Sequence, residues 1–129
     1  MVRIEAEMEV VTKTYDLVVW SSQHVARFPR SHRFTLGERL VGRLYGVLEL
    51  LIRARYNSRE RPESLKAANL ELELLRFQFR LAKDLKCLSL ESYGSAARSV
   101  NEVGQLVGGW LKQAAAPAPR PGAAGAKQP

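Results

Sequence analysis

The sequence predicts an all-α fold, an antiparallel up-and-down four-helix bundle, on three observations. Four long segments carry apolar residues at the three-to-four-residue spacing of a helix face. The stretches between them are short, which favours antiparallel neighbours, and a closing segment of different composition follows the fourth. At 129 residues the chain is expected to be one domain with a modest core.

The first helix is predicted over residues 12–28, with Tyr15, Val18, Val19 and Val25 among its apolar positions. It stops before Pro29, which disfavours helix in the residue preceding it. PRSHRF reads as a loop, and Thr35 with Glu38 three residues later has the pattern of a capping box, so the second helix is placed from 35 to 57 or 58. Pro62 suits the first turn of a third helix running to 87. Ser89 is a fair N-cap for a fourth, ending near 115. The bundle is thus expected to fill residues 1–116. Residues 117–129, PAPRPGAAGAKQP, hold four of the six prolines and no large apolar side chain, and are read as a disordered tail.

The third helix has two apolar stripes rather than one. Leu70, Leu74, Phe77, Leu81 and Leu85 form the first, and Leu72, Leu75, Phe79 and Ala82 the second. A bundle helix in a monomer needs only one, so self-association is expected, with Leu72, Leu75 and Phe79 assigned to the subunit contact. In the second helix, Gly42 and Gly46 lie between arginines. Glycine inside a helix costs about 1 kcal/mol relative to alanine, so close approach of another helix, subunit or ligand is expected there. Gly104 and Gly108, four apart in the fourth helix, suggest close packing, and Trp20 and Trp110 read as core or interface anchors.

Charge points to function. The net charge is +7 and the isoelectric point about 10.0, which makes a polyanion such as nucleic acid the first partner to consider and an acidic protein surface the second. Eight arginines and no lysine lie between Pro29 and Arg61, opposed by Glu38, Glu49 and Glu60 alone. Arginine presents a planar donor fork that fits phosphate or carboxylate and keeps its charge, so anion recognition is the reading. The candidate binding residues are Arg30 and Arg33 in the loop, Arg39, Arg43 and Arg53 on the second helix, and Arg76, Arg80 and Lys83 on the third. With no base-stacking motif, contacts to phosphate rather than to base edges are expected.

Other function classes find little support. His24, His32, Cys87 and scattered carboxylates such as Glu49 and Glu71 form no recognised catalytic or metal-ligand spacing, so no enzyme activity, cofactor, metal or small-molecule substrate is expected. The single cysteine excludes an internal disulfide. MVRIEAEMEVV lacks the order of a signal peptide, and no apolar run is long enough for a membrane span, so a cytoplasmic protein is expected.

Four strings, FPRSHRFTLGERL, LYGVLELLIRA, LRFQFRLAKDLKCLS and VNEVGQLVGGWL, taken in this order across the four helices, resemble the accessory variability determinant proteins of diversity-generating retroelements. These stand within a wider four-helix-bundle group that includes proteins encoded in 23S ribosomal RNA intervening sequences. The resemblance covers about residues 8 to 113. It implies a homopentameric barrel that binds RNA or DNA and associates with the retroelement reverse transcriptase, supporting RNA-templated mutagenic cDNA synthesis without catalytic residues of its own. Two alternatives are an adaptor docking an acidic protein partner and an intervening-sequence protein.

Overall fold

The computed structural model describes residues 2–115, and all four predicted helices are present. α1 spans Val2–Val25, α2 Glu38–Tyr56, α3 Arg61–Asp84 and α4 Leu90–Ala115. No strand occurs among the described residues. α2 packs on α1 and α3, α3 on α2 and α4, and α4 closes back onto α1. The connections between α1 and α2 and between α3 and α4 therefore lie at one end of the bundle, and the α2–α3 connection lies at the other. The tail expected over 117–129 lies outside the described residues.

Two boundaries differ from expectation. α1 begins ten residues early, because the alternation of acids and apolar residues in RIEAEMEVV also suits a helix: Val10 is buried and Met8 and Glu9 are exposed. The PRSHRF segment is helical rather than a loop. Pro29 stands just before a single turn, Arg30–His32, that runs through a wider π turn, Arg33–Gly37, into α2. There the Glu38 N–H donates to the carbonyl of Arg33, five residues back. No capping box forms, since the Thr35 hydroxyl donates to the Ser31 carbonyl at 3.4 Å within continuous helix. Close contact explains Gly37 in this turn, because a Cβ there would stand 2.6 Å from Cγ1 of Val25 on α1.

Side chains and backbone close the other ends. Arg61, at the start of α3, donates from Nε to the Ala54 carbonyl at 2.6 Å and from Nη2 to the Arg55 carbonyl at 3.1 Å, satisfying acceptors that the end of α2 leaves open. Pro62 lies in the first turn of α3, as its sequence position predicts. α3 ends in a Schellman turn: Cys87 N–H donates to Ala82 at 2.7 Å and Lys86 N–H to Lys83 at 2.9 Å, with Lys86 at φ 65° in the left-handed region usually taken by glycine. Ser89 caps α4 by accepting from the Ser92 N–H at 3.0 Å.

Leu40, Leu44, Val47 and Leu51 of α2 face Leu65, Leu72, Leu75 and Phe79 of α3 and Val100, Val103 and Val107 of α4 in one core. The two stripes of α3 are real, but their roles are the reverse of those assigned from sequence. Leu72, Leu75 and Phe79 are 1%, 0% and 2% exposed, inside the chain's own core, and so have no surface to offer a second copy. Leu70, Leu74, Phe77, Leu81 and Leu85 are the outward stripe, with Leu70 and Phe77 each 60% exposed. The small residues decide this, since Ser64, Ala68 and Ala82 on the buried stripe let α2 and α4 approach α3 closely. On α1, Val18 and Val25 are buried as expected, while Tyr15 and Val19 point outward.

Candidate nucleic-acid interface

The predicted cations do not form one face. Arg43 reaches across to α3, donating from Nη1 to Glu71 at 2.7 Å and from Nε to Gln78 at 3.0 Å, and is a clamp between helices rather than a free fork. Arg76 is similarly engaged, with Glu73 at 2.7 Å on its own helix and Asn101 of α4 at 3.2 Å; its Nη2 fills the space beside Gly104. Arg33 is half-buried, donating to the Phe28 carbonyl at 3.3 Å, and its buried Nε has no partner. Arg53 is exposed without an ion pair among the described residues, towards the opposite end of α2 from Arg39.

The remaining cations gather at the end where α1 passes to α2 and α3 to α4. Arg30 and Arg39 are exposed on the first turns leading into and beginning α2, with no ion pair among the described residues. Arg80 and Lys83 stand on the last turns of α3, both near Asp84, at 4.0 and 3.5 Å. Lys83 also lies 4.8 Å from the centre of the Tyr93 ring. Exposed pairs of this length hold their cations weakly, so Arg80 remains available to a phosphate.

Two members of this end escaped the sequence reading. Arg27, just after α1, and Lys86, in the turn after α3, are both exposed and unpaired among the described residues. The signal for them was topological. In an up-and-down bundle the first and third connections share an end, so cations beside those two turns converge although some sixty residues separate them in sequence. Against these six cations stand Glu38, Asp84 and Glu91. The cluster offers several guanidinium forks without a buried pocket, an arrangement that suits phosphate backbones rather than a small enclosed anion.

The groups considered for chemistry remain apart. His24 stacks on Trp20 with ring centres 3.7 Å apart, and its Nδ1 lies 2.9 Å from the Trp20 carbonyl, a packing role. His32 sits half-buried in the turn before α2. Burial pushes the Cys87 thiol up, away from the reactive thiolate, at the C-terminal end of a helix where no favourable dipole acts on it. Among the described residues no group of three or more His, Cys, Asp or Glu side chains could hold a metal ion, and no helix is long and apolar enough to cross a membrane.

The sequence model of the bAvd-like family matches residues 8–114, from the second turn of α1 to the last of α4. The chain belongs to this family. It is the accessory variability determinant family of diversity-generating retroelements, as the four strings distributed over the helices implied. A comparison with curated proteins gives no match. The family membership suggests an accessory variability determinant role, and the matched span takes in both turns that carry the basic end.

Proposed function

We propose that this chain is a non-catalytic accessory subunit of a diversity-generating retroelement reverse transcriptase, working as a homo-oligomer, a pentamer on the family pattern. Its basic end holds RNA or DNA during RNA-templated, mutagenic cDNA synthesis. The observation that carries this reading is the convergence of Arg27, Arg30, Arg39, Arg80, Lys83 and Lys86 from two separate connections onto one end, most of them without ion pairs among the described residues. Repeating that end around a symmetric assembly would multiply the phosphate contacts each copy makes, and such contacts steepen the dependence of affinity on salt. Recognition is through the phosphate backbone, the contact that exposed guanidinium forks suit.

The test is binding of the purified, nuclease-treated protein to labelled structured RNA and to duplex DNA. Replacing Arg30, Arg39 and Arg80 together with glutamine should weaken binding to both by about tenfold or more at moderate salt. Unchanged affinity would remove the basic end from the proposed function. A reverse transcriptase that is retained by the triple variant in nuclease-treated extracts, while RNA is lost, would assign docking of the enzyme to other surfaces.

A further inference from the structure

Two apolar strips remain uncovered on the chain, and they differ in shape. The first is a ridge, the outer face of α3: Leu70, Leu74, Phe77 and Leu81 at spacings of four, three and four, continued by Leu85. These leave on the order of 400 Å² of apolar surface in a line, the size at which a patch on a soluble chain marks a contact site. The second is a groove between α1 and α2. The Glu7–Arg55 pair at 3.8 Å and the shared hollow of Val25 with Val41 set these helices antiparallel, so Met8, Tyr15 and Val19 on one wall run beside Tyr56, Ile52 and Tyr45 on the other. Where the groove widens it holds a hollow of about 370 Å³, floored by Gly37, Val41 and Gly42 and bordered by Phe34 and Tyr45. A Cβ on Gly42 would meet nothing within 4 Å. The expectation of close approach to Gly42 and Gly46 is thus not met inside the chain, and the space is left for something else.

We infer that the ridge of one copy seats in the groove of the next, so that self-association runs head to tail. This rests on the oligomer reading above and names the surfaces that carry it. Three features select this occupant. A two-fold contact of ridge on ridge would leave the groove bare, and one of groove on groove would leave the ridge bare; only the unlike pairing covers both strips on every copy once a ring closes. The heptad-like spacing of the ridge suits insertion between two antiparallel helices, with Phe77 the largest knob and the Gly42 hollow the hole that faces it. Charges also complement: Glu38 and Glu49 border the groove without ion pairs among the described residues, while Arg53 borders the α2 side of the ridge, likewise unpaired.

Unlike surfaces allow a complementation test. Phe77→Glu breaks the ridge and keeps the groove; Tyr45→Glu breaks the groove and keeps the ridge; both positions are exposed, so the helical content of each chain should survive. By sedimentation equilibrium each variant alone is expected to need at least about tenfold more protein to assemble than the unmodified chain. Mixed in equal amounts, they should form a one-to-one pair that grows no further, because only one of the two possible contacts is intact. Leu74→Gln and Ile52→Gln replace them if either glutamate lowers helicity. Assembly of both variants like the unmodified chain would overturn the two surfaces while leaving self-association in place. Assembly of the Tyr45→Glu chain alone would mean ridge on ridge. A monomeric unmodified chain would overturn the oligomer reading itself.

Discussion

Leu75→Ala separates the buried stripe of α3 from the exposed one. Leu75 has no exposed surface, so truncation to alanine removes three carbons from the core, a transfer loss of roughly 2.5 kcal/mol at about 0.8 kcal/mol per buried methylene. The space left behind, between α2 and α4 held apart by their other leucines and valines, adds a cavity cost of about 1–2 kcal/mol. A total near 4 kcal/mol corresponds to a fall in Tm of roughly 15 °C for a domain of this size. Leu74, one residue earlier and 38% exposed, should cost the single chain less than about 1 kcal/mol on the same change. Assembly stabilises the folded chain by mass action, so both changes are best made in the Phe77→Glu chain and followed by thermal unfolding at several protein concentrations. Equal shifts for the two, or a Leu75→Ala chain of unaltered Tm that no longer assembles, would refute the assignment of this stripe to the core.

Other consequences follow from single contacts. Arg43→Met should lower stability by about 1 kcal/mol, since its half-buried bonds to Glu71 and Gln78 are lost, yet leave RNA affinity within about twofold; a large loss of binding would return Arg43 to the nucleic-acid interface. Gly37→Ala should destabilise by about 1–3 kcal/mol, because the new methyl meets the short, β-branched Val25, whereas Gly42→Ala should stabilise the dissociated chain by about 0.5–1 kcal/mol through helix propensity. Urea unfolding checks both, and a shift of the same sign in the two would contradict the contact. Lys86→Gly should raise stability by about 0.5–1 kcal/mol by relieving the left-handed backbone after α3, measured as a higher Tm; a fall would mean that the lysine side chain does more than occupy the turn.

The bundle was legible because helix periodicity, Pro62 and Ser89 each mark local structure that tertiary contacts reinforce. The misread parts have physical reasons. Pro29 ends one helix, and by the same fixed φ it starts the next, so PRSHRF could not be assigned as loop from its proline alone. Both stripes of α3 are rich in leucine and phenylalanine; hydropathy cannot rank them, and the decision lay with Ser64, Ala68 and Ala82, whose small size marks the side where helices meet. The basic site was half visible. Composition located the arginine-rich segment, but which arginines are consumed by bonds, as Arg43 and Arg76 are, depends on the register between helices, and Arg27 and Lys86 join the site only through topology. Gly108 has open space where a Cβ would stand, whereas Gly104 is met there by Arg76 at 3.0 Å, so the two glycines of α4 do not share the packing role expected of them.

Neutralisation of phosphates by the basic end makes RNA binding depend on salt, and the slope of that dependence is the decisive measurement. Each phosphate neutralised contributes a slope of about −0.7 to −0.9 to log K against log salt. With the cations Arg27, Arg30, Arg39, Arg80, Lys83 and Lys86 at this end of each copy, the unmodified protein should show a slope of about −3 or steeper, and the Arg30, Arg39 and Arg80 to glutamine variant one shallower by about 2. Absence of binding even at low salt, or an unchanged slope in the variant, would mean that the basic end does not hold nucleic acid.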